Sequence, residues 1–487
     1  MPLWFRLLPL SRLVVAALAH GGRAAHAAGF PDTLLARWAG YQGIAHAPGA
    51  AVVIVRDTGI VALATLGERD VERRLPVTPR TRFYIASCTK PFVAAALWTL
   101  AAEGGLSLDD PVRRSLPAFR LADSAATESL TVRDLLTHRR GLGHPAISLL
   151  SAHTGQMTDA RMRHWLARVK PRGRFAYDNL HYLLAGQVLA ARTGGTWAQA
   201  VEARVTRPLG MTRAAFTSEQ LTDDADVARP YAWTDGASER LAAKSDRTLH
   251  AAGGMGASIG DLARWLRTHL GDGRLDGAPV LPAAVVRGMR ELAVSAVDRH
   301  PLRPSVLRVG ATAGWEVRTS EGDTLYVHTG MYAGAAAHMS YCPARGVGVA
   351  VRVTADVPPL SELLASEAYD AAAGAGSPDV SERLAQVLAR FAPDVSTDTL
   401  PRRPDRAAAG YVGRFAQPDW GDLTVAAHGD EVTMRLGEYA MPIRWRGGDE
   451  FVADGDSPGR FERDARDRVT AVWLRLAPGD STRFARR

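Results

Sequence analysis

Ser87 and Lys90 stand three residues apart in Ser87-Cys88-Thr89-Lys90. Of the 59 lysine and arginine residues only three are lysines: Lys90, Lys170 and Lys244. A chain that writes nearly every cation as arginine has kept lysine beside this serine. Arginine cannot give up its proton in a protein, whereas a desolvated lysine can act as a base. On a helix a spacing of three brings both side chains onto one face, which is the arrangement an activated serine nucleophile needs. Taken alone, the pair also fits a serine N-cap followed by a solvated lysine. Its flanks say more. Phe83-Tyr84-Ile85-Ala86 reads as a strand, and from Thr89 to Glu103 the apolar residues recur with helical period. Ser87 therefore sits at the start of a buried helix, where the helix dipole and free N–H groups favour negative charge.

Two other segments carry groups for the same chemistry. Tyr177-Asp178-Asn179 precedes a helical stretch; a tyrosine there can relay a proton and an asparagine can bind an amide from either end. His328-Thr329-Gly330 ends a strand and leads into Met331. The glycine lets a substrate backbone lie against the strand edge. The Met331 N–H can join that of Ser87 in an oxyanion hole. As isolated features the first reads rather as a polar turn capping the next helix, and the second also fits a strand end followed by a glycine turn. A third candidate, Gly256-Ala257-Ser258-Ile259-Gly260, fits the G-x-S-x-G pattern of a nucleophile elbow. The residues before it are glycine-rich rather than strand-like, and Ser258 with Asp261 reads as a helix capping box.

Together Ser87-x-x-Lys90, Tyr177-x-Asn179 and His328-Thr329-Gly330 resemble, in order and separation, the three motifs of the serine β-lactamase and penicillin-binding-protein superfamily. The branch is similar to class C β-lactamases, D-alanyl-D-alanine carboxypeptidases and related esterases. Leu135-Leu136-Thr137-His138, Pro208-Leu209-Gly210-Met211 and Gly253-Gly254-Met255 add to the likeness, which covers about residues 48–370. The resemblance implies Ser87 as the nucleophile of an acyl-enzyme, with Lys90 and Tyr177 sharing the proton transfers. It implies Asn179, His328, Thr329, Gly330 and Met331 as the substrate-binding residues. It implies a small-molecule or short-peptide substrate, an ester or amide, and no cofactor. A protein that keeps the fold for penicillin binding or peptidoglycan sensing without turnover is the alternative. Three departures bear on the substrate. His328 stands where lysine is usual and, being mostly neutral at pH 7, anchors a carboxylate weakly. Asp178 stands where a small residue is usual. Arg139-Arg140 follow His138 in place of hydroxyl residues, as surface arginines or as an anion clamp.

The elements that must hold these residues begin with a hairpin over residues 50–66, turning at Asp57-Thr58-Gly59. A mainly helical stretch runs to about residue 270, including Trp197–Arg207 and Ile259–Leu270. Strand patterns return at Ser305–Val309, Trp315–Arg318, Thr324–His328, Ala337–Tyr341 and Val347–Thr354, before a helix over Leu360–Ala373. This order predicts an α+β fold, an antiparallel sheet with helices on both faces and a large helical insert. The resemblance implies a hydrolase domain over 28–375. Residues 376–409 read as a linker holding one helix (Val380–Phe391) and 410–487 as a small all-β domain of short strands, which resembles the lipocalin-like barrels appended to some of these hydrolases.

Composition narrows the class. Apolar content is 46%, charged content 23%, and the formal charge is +8. The arginines are scattered and no basic run is interleaved with aromatics, so no nucleic-acid partner is expected. Cys88 and Cys342 form no disulfide framework, and no Cys/His cluster has metal-site spacing. Arg6 and Arg12, the apolar Leu13–Ala19 and the small-residue site Ala25-His26-Ala27 follow the pattern of a secretory signal over 1–27. No later stretch reaches the ~18 apolar residues of a membrane span.

Overall fold

Every residue of Ala50-Ala51-Val52-Val53-Ile54-Val55 is buried, the mark of a strand covered on both faces rather than one with a wet side. In this computed structural model the described residues are 24–487, apart from 235, 300–305, 321, 392–399, 455–456 and 478–479. They divide into two compact units. The first comprises the described residues within Met1–Leu106, Gly195–Ala243 and Gly253–Arg390; the second comprises those within Ser107–Gly194, Lys244–Ala252 and Phe391–Arg487.

The buried run belongs to β2 (Gly49–Arg56), which follows β1 (Ala24–Ala28) and α1 (Asp32–Ile44) and turns at Asp57-Thr58 into β3 (Gly59–Asp70). A short β4 (Arg82–Tyr84) pairs with β5 (Gly256–Ser258), and each leads into a helix, α2 (Lys90–Ala102) and α3 (Ile259–Leu270). Next come β6 (Val294–Arg299), β7 (Leu307–Ala311), β8 (Glu316–Ser320), β9 (Asp323–Tyr332), β10 (Ala335–Cys342) and β11 (Val347–Val353). They are followed by α4 (Pro358–Ala372) and α5 (Ser381–Phe391). The main sheet runs β1-β3-β2-β11-β10-β9-β8-β7-β6, with Leu75–Pro76 paired to β3. All its pairs are antiparallel.

One face packs on α1 and α4: Val52, Ile54, Val349 and Val351 share a core with Trp38, Tyr41, Leu360 and Leu364. The buried Glu367 is satisfied there by Trp38 Nε1 (2.8 Å), Tyr41 Oη (3.1 Å) and Arg37 Nε (3.3 Å), as a buried carboxylate requires. The other face packs on α3, and Phe92 of α2 stacks on Trp265 of α3 at 4.3 Å. The predicted α+β sheet with helices on both faces is thus present. Strands β5 and β6 are additions to the sequence reading. The helix expected over Trp197–Arg207 is α-helical to Val201 and widens into a π turn over Glu202–Thr206. Of the leader expected over 1–27, residues 1–23 lie outside the described residues, and Ala24–Ala28 pair with β3. The linker helix appears as α5.

In the second unit, the helices Val132–Thr137, Asp159–Leu166 and Asn179–Thr193 belong to the insert. Among the described residues, Gly413–Arg486 form nine antiparallel strands whose first pairs with the last, a nearly closed barrel. Tyr439–Met441, Ser457–Arg463 and Asp480–Arg486 are strands absent from the sequence reading. The barrel's interior is filled by Tyr411, Phe415, Trp445, Phe451, Phe461 and Phe484, each at most 4% exposed. Its outer surface meets the insert. Trp165 Nε1 donates to the Asp419 carbonyl (3.1 Å), and Gln156 bonds both backbone groups of Asp422 (3.1 and 2.8 Å).

Candidate active site

Between β4 and α2 the chain makes a single 3₁₀ turn, Ala86–Thr89. Ala86 enters it with φ of +45°, a left-handed conformation that costs a residue bearing a Cβ about 1–2 kcal/mol. The surroundings enforce it. Ile85 N donates to the Met255 carbonyl (2.9 Å), Thr89 Oγ1 donates to the Ala86 carbonyl (2.7 Å) and accepts from Met255 N (3.1 Å), and Cys88 N closes onto the Ile85 carbonyl (3.1 Å). Tyr84 Oη also donates to the Gly253 carbonyl. The glycine-rich segment that precedes the decoy elbow is therefore the brace of the nucleophile turn. Ser258 itself is 3% exposed and accepts from Asp261 N (3.1 Å), while the Asp261 carboxylate accepts from Ser258 N (3.1 Å). It is a capping box, as its spacing predicts.

The turn sets Ser87 over the first residue of α2. Lys90 Nζ donates to Ser87 Oγ at 3.0 Å, and Lys90 is completely buried. Burial removes the water that would stabilise an ammonium, and a neutral amine at this distance can reverse the bond and accept the serine proton. Cys88 is a free, buried thiol that donates to the His328 carbonyl at 3.3 Å. That bond ties the turn to β9.

On β9, His328 lies beside the turn with Nδ1 2.7 Å from the Thr329 carbonyl oxygen. Burial first, then the charge of Lys90, pushes its pKa down to about 3, so at neutral pH it is an uncharged imidazole. Gly330 is required by contact: a Cβ there would stand 2.4 Å from the Ile85 carbonyl oxygen and 3.1 Å from the Ser87 nitrogen. Met331, the next residue, exposes 60% of its surface. Ser87, Lys90, His328 and Gly330 are thus assembled within the first unit, with Thr329 and Met331 on the same strand.

Tyr177 and Asn179 belong to the second unit. Tyr177 is half exposed, its ring 4.7 Å from that of His138. His138 takes φ of +55° at the end of Val132–Thr137 and also packs on His181 and Tyr182. This aromatic group supports Tyr177. Of it, only His138 stood out in the sequence. Asp178 caps the following helix through Leu180 N (2.8 Å), and Asn179 is that helix's first residue. Arg139 and Arg140, read as surface arginines or an anion clamp, are partly exposed and turn toward a carboxylate of the same unit. Arg139 Nε lies 2.8 Å and Arg140 Nε 3.6 Å from the carboxylate of Asp134, whose side chain is 1% exposed. Both arginines thus face that buried charge.

The beta-lactamase family matches residues 35–374, and the chain belongs to that family. It is 28% identical over 316 residues to penicillin-binding protein 4 of Amycolatopsis lactamdurans, covering 63% of this chain and 80% of that one. Protein flp of Staphylococcus aureus is 30% identical over 176 residues, 35% of each chain; the match spans about a third of that relative's length. Among solved structures, an octameric penicillin-binding protein homologue from Pyrococcus abyssi has a TM-score of 0.62 at 24% identity, covering 93% of this chain and 99% of that one. A D-stereospecific amidohydrolase from Streptomyces has a TM-score of 0.55 at 23% identity, covering 69% and 98%. The fold is that of penicillin-binding proteins and class C β-lactamases.

Proposed function

We propose that the protein is a serine hydrolase that cleaves an ester or amide through an acyl-enzyme on Ser87. The observation that carries this reading is the 3.0 Å contact between Ser87 Oγ and Nζ of the fully buried Lys90. In the reaction, Ser87 Oγ attacks the substrate carbonyl carbon as its proton passes to Lys90 Nζ. The oxyanion is held by the N–H groups of Ser87 and Met331; losing such a donor costs about 3–4 kcal/mol. The C–O or C–N bond then breaks, and the leaving alcohol or amine takes up the proton, with Tyr177 relaying it. Water attacks the acyl-enzyme, gives its proton to the base and releases the acid. Asn179 holds the substrate's amide or side chain, and Thr329-Gly330 aligns it along β9.

The uncharged His328 supports substrates that need no strong carboxylate anchor: carboxylic esters first, D-amino-acid peptides next, and β-lactams weakly. The D-stereospecific relative is consistent with the second class. The basic-then-apolar N-terminus supports export, to be checked by N-terminal sequencing of the mature protein. The test of the reaction is intact mass after incubation with p-nitrophenyl esters, a D-Ala-D-Ala peptide and a penicillin, beside Ser87→Ala. An adduct or turnover that depends on Ser87 is expected. A penicillin adduct that never hydrolyses, with no turnover of the other two, would favour the binding protein instead. A folded protein that neither turns over nor is acylated overturns the enzyme.

A further inference from the structure

Arg352 is fully buried. Along β11, Val349, Val351 and Val353 enter the core with α1 and α4, so Arg352 points to the opposite face. There one terminal nitrogen donates to the Tyr84 carbonyl, and the guanidinium carbon lies 5.7 Å from the centre of the Phe83 ring. Nε and Nη1 have no hydrogen-bond partner among the described residues, and no carboxylate among them pairs with the side chain. Arg352 is thus a buried cation without an anion, at the foot of the turn that carries Ser87. Such burial is costly, and an apolar residue in its place would avoid the cost.

Its neighbours fix what the charge can act on. Tyr84 on β4 and Cys88 on the turn both feel it: burial pushes the Cys88 thiol up to about 12 against the pull of Arg352 and Lys90. Burial raises Tyr84 well above its ordinary value, with Tyr332 adding to the rise. Arg352 itself is lowered by burial only to about 10, so it stays protonated at neutral pH. On the neighbouring strands His328, with Arg318 and His338 behind it, completes the set, and His328 is neutral above about pH 3. Tyr84, Cys88 and His328 therefore do not titrate near neutrality.

Resting on the reading of Ser87 as nucleophile, we infer that Arg352 is a positioning residue for the hydrolysis. It holds the Tyr84 carbonyl at the root of the turn and sets a fixed positive charge beneath it. In a water-poor site a fixed charge acts strongly, and this one favours the states with less positive charge. Those are the uncharged amine of Lys90 and the oxyanion at the Ser87 N–H.

The experiment is the rate of Ser87 labelling by an alkyl fluorophosphonate from pH 5 to 9, for wild type, Arg352→Met and Arg352→Lys, each shown folded by circular dichroism. Removing the cation should make Lys90 harder to deprotonate. Arg352→Met should therefore be about tenfold slower at pH 7, with its acid limb about one unit higher. Arg352→Lys, which keeps the charge, should keep the wild-type limb. Should the methionine variant not fold, Arg352→Gln supplies the neutral comparison. A neutral variant with the wild-type limb, or a lysine variant whose limb moves equally, overturns the inference alone. An unlabelled wild type removes the reading of Ser87, and the inference falls with it.

Discussion

Gly330 and Ser87 are so close that the Cβ Gly330 lacks would stand 3.1 Å from the Ser87 nitrogen, and only 2.4 Å from the Ile85 carbonyl oxygen. Strand and turn meet backbone to backbone, and neither neighbour is a side chain that can swing aside. Gly330→Ala should therefore destabilise the protein by about 1–3 kcal/mol and slow Ser87 acylation about 10²-fold through misplacement. Thermal melting and acylation rates on the same preparation check both effects. An alanine variant with wild-type rates would mean that β9 does not fix the turn.

Lys90→Arg keeps a cation and removes the base. Acylation should fall about 10²–10⁴-fold, and Lys90→Met, which likewise lacks a base, should fall as far. Arginine at position 90 with near-normal turnover would assign Lys90 a purely electrostatic part.

Acid should unfold the protein early. In the native state His328 is held down to about 3, chiefly by burial and then by Lys90, and His153 to about 4 by burial and then Lys244. Burial also lowers His269. The unfolded chain takes up these protons near the ordinary value of about 6.5. Between pH 6.5 and about 3 it binds more protons than the native state, so stability is complete above pH 6.5 and falls as the pH drops. Melting temperature measured from pH 7 to 4 should decline, and less steeply in His328→Gln. An equal slope in that variant would show that His328 is protonated in the folded protein.

Glu438, in the turn between two barrel strands, accepts from Ser245 Oγ (2.6 Å) and Arg247 Nε (2.8 Å). Its own N–H donates to the Thr154 carbonyl (2.9 Å). Glu438→Ala should cost about 1–2 kcal/mol and lower the melting temperature by a few degrees. Glu438→Gln should recover part of it. A melting temperature unchanged in Glu438→Ala would mean that this turn is not a fastening point within the second unit.

Local pattern carried much of the reading. The Ser87 turn, α2 and α3 were legible because periodicity and capping lie within a dozen residues, and β2 because a continuous apolar run admits few alternatives. The partners were not. That Gly253–Met255 brace the turn, or that Arg139 and Arg140 surround Asp134, depends on contacts between distant segments. Tyr439–Met441 is too short to show alternation, and Pro458-Gly459 disguise the strand that contains them. Arg352 is not legible inside its apolar strand, since no local pattern says which face of a sheet a lone arginine occupies.

The scarcity of lysine reaches beyond the proton it supplies. Lys90 is sealed under its serine and Lys244 is largely enclosed, with Nζ on the carbonyls of Ala152 and Thr248, which leaves Lys170 as the exposed lysine. Lys244 keeps part of its surface and burial lowers its amine to about 7, so an amine-seeking reagent meets Lys170 through its exposure and Lys244 through its reactivity. A dye, a surface or a crosslinker can thus be attached at two known points of the folded chain, and Lys170→Arg would leave Lys244 alone.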